Sequence, residues 1–192
     1  VIGDHFGWRT VFAVLAVVFA FAGLALFSQL RRNPWTQRRD HATGTKPGFI
    51  REYRLLIADP WCRFVVLAVF FEGAIFFGTF TYVSADLHAR FGLSFSAIGL
   101  AIAGFGVGSV CYAFGVRILI RWLGEIGLVL GGGIVVALAY LSLAAAPFWQ
   151  QAPLAIAALG FGYYMLHNTL QTHATQMLPE ARGTVVAGFS SA

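Results

Sequence analysis

From Ile126 to Pro179 the chain runs without a single Asp, Glu, Lys or Arg, and the same holds from Thr10 to Leu30 and from Phe91 to Val116. A soluble domain spreads charge over its surface at about a quarter of its residues. Here charged residues make up 11% and hydrophobic ones 58%, with a mean hydropathy of +0.74. Crossing a bilayer as a helix takes ~20 apolar residues, and in hydrocarbon a helix is favoured because it satisfies its own backbone. The expected fold class is therefore all-α, a polytopic transmembrane helix bundle. Spans are expected at about 10–30, 64–84, 95–116, 126–146 and 154–175, with a sixth starting near Thr184. A chain that opens on Val1 and closes inside "GTVVAGFSSA" reads as an internal fragment.

The formal net charge of +5 raises the question of nucleic acid, and the placement of the basic residues answers it. Arg31, Arg32, Arg38, Arg39, Lys46, Arg51, Arg54 and Arg63 fall in one loop, Arg117 and Arg121 follow the third span, and Arg182 follows the fifth. Arg9 and Arg90 alone fall at the other ends. Such alternation is the positive-inside pattern. It puts the long loop in the cytoplasm and makes the lipid bilayer, not nucleic acid, the partner.

That loop, with its Pro, Gly and charge runs, reads as a linker between two bundles. It divides the chain into 1–30 with one span, 31–63 as linker, and 64–192 with the remaining spans. Inside it Ile50, Tyr53 and Ile57 recur at helical spacing, the pattern of an amphipathic helix on the membrane face. Asp59 before Pro60 reads as a helix cap and first-turn proline.

Glu72 stands inside the second span. Counted from Phe64 at 1.5 Å per residue it lies ~12 Å into a core of ~30 Å. An intramembrane carboxyl is a candidate for proton or ion coupling, the structural alternative being a hydrogen bond between helices. In "GYYMLHNTLQTHATQ" the residues Tyr164, His167, Asn168, Gln171 and Thr175 fall within one stripe of the helix, with His173 on the opposite side. Five polar groups on one face predict a cavity lining, to which Phe76 and Thr79 on the Glu72 face would contribute. His167 joins Glu72 as a proton-handling candidate. Glycines predict close helix contacts, along Gly104, Gly108, Cys111 and Gly115 on one span and Gly127 and Gly131 on the next.

No HExxH, GxSxG or phosphate-cradling glycine loop occurs, and the two span histidines, six apart, diverge around the helix and cannot form a zinc pair. Cys62 and Cys111 read as packing cysteines. No catalytic residue, metal or cofactor is expected, although an intramembrane enzyme using Glu72 and His167, or a membrane scaffold without transport, remains open as an alternative function.

"GWRTVF" before the first span, the basic loop after it, "FGLSFSAIGL", "RILIRWLGEIGLVLGGG" and "LPEARGTVVAG" together resemble the major facilitator superfamily, in order along the whole chain. The likeness is to the bacterial drug and sugar efflux branch. It implies that the first span is helix six of twelve and the others helices seven to eleven, that the rest of the N-terminal bundle is missing from this sequence, and that two bundles rock around a midplane site. It further implies proton-coupled efflux of a small molecule across the bacterial inner membrane. "GVRILIRWLGE" resembles the second copy of the family's gating motif, with Gly115, Arg121 and Gly124 on its glycine and arginine positions and Glu125 where a basic residue is common.

Overall fold

The computed structural model describes residues 6–33, 49–177 and 182–191. Arg38, Arg39 and Lys46 of the basic loop, and residues 178–181 of "LPEARG", lie outside the described residues. Contacts divide the chain into two compact units, Val1–Lys46 and Pro47–Ala192.

The first unit contains helix α1, Trp8–Arg32. At 1.5 Å per residue its 25 residues extend ~37 Å, enough to cross the hydrocarbon core. Phe19, Phe21 and Leu24 are all about 70% exposed, pointing in different directions around the helix. A helix apolar all round is stable in lipid and not in water. Arg31 and Arg32 close its last turn, and the Arg31 guanidinium lies 5.6 Å from the Phe27 ring centre.

The second unit begins with α2, Phe49–Ala58, and α3, Pro60–Phe91. Asp59 caps α3, its Oδ1 accepting the Cys62 N–H at 2.8 Å, with Pro60 in the first turn. Because Pro60 has no N–H to leave unpaired, this is the place in a helix where proline is tolerated. The apolar residues of α2 divide between two surroundings. Leu56 is buried, whereas Ile57 is 57% exposed. The reason is tertiary: Leu56 packs with Cys62, Val65 and Val69 of α3 and with Phe189 further along, so α2 turns an apolar residue to protein.

Helix α3 ends at Gly92, which is left-handed (φ 63°, ψ 23°) and returns its N–H to the His88 carbonyl. Helix α4, Phe95–Ala144, starts at the Ser94 cap. Its 50 residues contain one break, at Gly124, with φ 65° and ψ −179°. Only glycine adopts this backbone without strain, and the chain doubles back there. Tyr112 before the break and Leu128 after it share one cluster with Met165, and Ala101 and Ala139 share another with Ala155 and Ile156. The gap between the spans expected at 95–116 and 126–146 predicts a loop over 117–125. Instead helix continues through "RILIRWL", rich in good helix formers, until the glycine stops it.

A 3₁₀ turn at Trp149–Gln151 leads into α5, Ala152–Gln176, and α6, Arg182–Ser191, follows. Helix α5 is the axis of the unit, with Ile156 and Leu159 fully buried. Both arms of α4 pack on it through glycines. A Cβ on Gly108 would overlap the Ala157 carbonyl, one on Gly160 would overlap that of Phe105, and one on Gly132 would lie 2.6 Å from the Gly162 carbonyl. Of the expected small-residue stripe, Gly104 and Gly108 make this contact. Cys111 is exposed, and Gly115 has only Leu119 of its own helix nearby. One turn past Gly108 the Tyr112 ring meets the Phe161 ring of α5 at 6.1 Å.

Three described helices are long and apolar enough to cross a membrane, Arg9–Arg32, Pro60–Phe91 and the hairpin Phe95–Ala145, which is long enough to do so twice. Helix α5 falls outside that group. Its lower half is polar, and a helix surrounded by others need not be apolar to be stable in a bilayer.

Candidate functional site

Helices α3 and α5 bring together two residues 95 positions apart. His167 Nδ1 lies 3.2 Å from Glu72 Oε2. The Glu72 side chain is 11% exposed and that of His167 24%. Tyr163, one turn earlier on α5, stacks on the imidazole at 5.1 Å, and its hydroxyl lies 3.3 Å from the same Nδ1. Phe189 of α6 covers the imidazole at 5.3 Å. Glu72 Oε1 is buried and has no hydrogen-bond partner among the described residues.

A single nitrogen thus faces both a carboxyl and a phenol. With a proton on Nδ1 the imidazole donates to Glu72. Without one it accepts, from a protonated Glu72 or from Tyr163. The contact can hold one proton in either sense, and its removal leaves a carboxylate with an oxygen that only water or a ligand can satisfy.

Glu72 borders a cavity of about 510 Å³ between α3, the second arm of α4 and α5, walled mainly by Phe71, Phe76, Tyr140, Tyr163 and Leu166. Phe76 lines it, 4% exposed, with its ring 4.3 Å from Tyr163. Tyr140 donates its hydroxyl to the Phe76 carbonyl at 3.2 Å, pinning α4 to α3. Tyr140 also borders a second cavity of about 670 Å³ at the other end of α3, and Thr79 lies in that one, with Asp86 and Arg90. Here Arg90 donates to Asp86 at 3.1 Å and to the carbonyls of Leu143 and Ala146 at 3.2 and 2.8 Å. These carbonyls end α4, where a cation is favoured by the helix dipole.

The polar stripe of α5 divides. His167 faces α3, whereas Asn168 and Gln171 border a third cavity, of about 380 Å³, with Tyr112 and Glu125 of α4. Successive residues are 100° apart on a helix, so one stripe on the central helix meets two different neighbours. Tyr164 packs on Phe105 at 6.1 Å. The Thr175 hydroxyl donates to the Thr172 carbonyl of its own helix. Of the gating-motif residues, Gly124 is the reversal point of α4 and Gly115 is mid-helix. Arg121 is exposed and makes no hydrogen bond or ion pair among the described residues.

Sequence reasoning passed over Tyr163, Arg90 and the Glu125–His173 contact. Tyr163 could have been found from its i, i+4 spacing to His167. Arg90 acts on carbonyls, which sequence does not mark.

Membrane-length helices around one partly polar helix, with an ionisable pair held between two of the helices, define a multi-pass membrane protein. The sequence profile of the Major Facilitator Superfamily matches residues 1–192, and the chain belongs to that family of membrane transporters. No curated protein and no solved structure matches the chain significantly.

Proposed function

We propose that the protein is a proton-coupled exporter of small molecules of the drug and sugar efflux type, working by alternating access in the bacterial cytoplasmic membrane. The Glu72–His167 contact carries this reading. It joins two helices near mid-bilayer by the sequence count, it can take or release one proton, and it borders a cavity large enough for a small molecule. Loss of the proton breaks the contact's charge balance and favours water at Glu72, hence opening. Uptake of a proton restores a neutral, closed pair. Asn168 and Gln171, each offering donor and acceptor, are the substrate-facing amides in this reading, and α1 ends the bundle against which the second unit would rock.

Glu72→Gln in the intact transporter tests it. Glutamine keeps size and hydrogen bonding without titrating. In proteoliposomes with an imposed pH gradient, the variant is expected to exchange substrate but not to accumulate it. Gradient-driven accumulation equal to wild type would assign Glu72 a structural role only.

A further inference from the structure

At the arginine-rich end of the second unit, three elements meet in a contact that the site above does not use. His173 Nε2 of α5 lies 3.1 Å from Glu125 Oε2 of α4. Trp61, in the first turn of α3, meets the His173 ring edge-on at 6.1 Å and stacks on Phe64 at 5.6 Å. Glu125 directly follows Gly124, where the helix breaks and where nothing crowds the backbone. Glu125 also borders the 380 Å³ cavity, beside Gln171 and Thr172.

The second arm of α4 is tightly seated on α5 at Gly132, against Gly162, Met165 and Leu166. Glu125 lies seven residues before that seat, ~10 Å or two turns along the arm. Between them Leu128 packs on Met165. Past it, the Glu125–His173 contact ties to α5 the end of an arm that joins a glycine turn.

We propose that Glu125 and His173, steadied by Trp61, are positioning residues that clasp the Gly124 end of the hairpin to α5 and close the mouth of the Asn168–Gln171 cavity. Neutral or charged, the imidazole closes the clasp by donating Nε2–H to the carboxylate. Release lets the arm pivot between Gly124 and Gly132 and opens that cavity at the arginine-rich end. The inference uses the transport reading only for what the opening serves, and the two fail separately below.

In the intact transporter, with other reactive cysteines replaced, Thr172→Cys reports the mouth through its rate of labelling by an impermeant maleimide applied from the arginine-rich side. Glu125→Ala and His173→Phe remove the hydrogen bond, the latter keeping an aromatic ring against Trp61. Each is expected to speed labelling about three- to fivefold, the scale of a partly exposed pair. His173→Gln places an N–H at the same reach and is expected to stay within about twofold of wild type. Equal rates in wild type, Glu125→Ala and His173→Phe would overturn the clasp, as would His173→Gln labelling as fast as His173→Phe. Glu125 is 54% exposed, so its truncation leaves the packing intact should His173→Phe fold poorly. Cysteines at 125 and 173, joined by a short bifunctional reagent, are expected to stop transport at least tenfold. Unchanged transport after cross-linking would also overturn the clasp, whereas absence of gradient-driven transport in the wild type, with the labelling pattern intact, would remove only the transport reading.

Discussion

Gly108→Ala puts the helix packing to a direct test. A Cβ at this position would overlap the backbone carbonyl of Ala157 and crowd the Phe161 nitrogen. The obstacle is backbone, so no rotamer change relieves it, and α4 must move off α5 by roughly an ångström in a close-packed interior. Overpacking costs typically 1–3 kcal/mol, and helices in lipid, lacking a hydrophobic drive toward each other, depend on the close packing that such a shift removes. Against this stands ~1 kcal/mol of helix propensity gained by replacing glycine with alanine. The upper part of the range applies to an immovable obstacle, leaving Gly108→Ala destabilised by about 2 kcal/mol. Gly115→Ala is the control, because its Cβ would meet only Leu119 Cδ1 at an ordinary 3.7 Å, so it is expected to gain up to ~1 kcal/mol. Thermal melting of both variants in detergent, followed by fluorescence-detected size exclusion, should show them moving in opposite directions by several degrees. If Gly108→Ala melts with Gly115→Ala, the two helices are not in backbone contact there and the core of the second unit is misassigned.

Arg90→Ala should lower stability by about 1–2 kcal/mol by freeing the Leu143 and Ala146 carbonyls. Arg90→Lys should recover less than half, because one ammonium cannot span both acceptors; full recovery in a thermal melt would mean that charge alone suffices. Asp59→Ala should lower the melting temperature at neutral pH. The Cys62 N–H donated to its carboxyl holds the Asp59 pKa below the ordinary aspartate value, so the cap contributes above that value, near 3.9, and is lost as pH falls through the lower folded-state value. The gap between wild type and variant melts should therefore begin to shrink as pH falls below about 3.9, and a gap that stays constant with falling pH would show that Asp59 acts by packing.

Long-wavelength features were the legible part of this chain. Uncharged runs marked the long helices, and Asp59-Pro60 marked the α3 start within a residue. What escaped was set by contacts between helices. Gly124, on the glycine position of the gating resemblance, has a positive φ that only the structure reveals, at the reversal of a hairpin whose arms are fixed by α5. Gly132, Gly160 and Gly162 make backbone-close approaches like that of Gly108, yet in sequence they look like any other membrane glycine. Glu72 and His167 were each legible as isolated polar groups in apolar surroundings. Their mutual contact was not, because no local pattern relates positions 95 apart, and for the same reason the single polar stripe of α5 concealed its division between two neighbours.

The placement of that contact follows from how unevenly the second unit is tied together. Both arms of α4 approach α5 at backbone distance through glycine, so away from the Gly124 end these three segments form one block. Helix α3 has no glycine seat of that kind among the described residues: Gly73 and Gly78 have nothing within 4 Å of a built Cβ. It is held instead by Arg90 on the end of α4, by the Tyr140 hydroxyl on the Phe76 carbonyl, by side-chain packing of Phe76, Val83 and Leu87 in the cluster around Ile156 and Leu159, by the Cys62–Val65–Val69 cluster, and by Glu72 on His167. Of these only the last depends on protonation of Glu72 or His167, and it lies between the others, beside a cavity bordered by α3, α4 and α5. A carboxyl placed within a glycine-packed interface could change its protonation without moving anything. Placed on the loosely tethered helix, the same change alters one of the few ties that set the width of the cavity, which is the physical condition for a proton to act on a bound molecule through geometry.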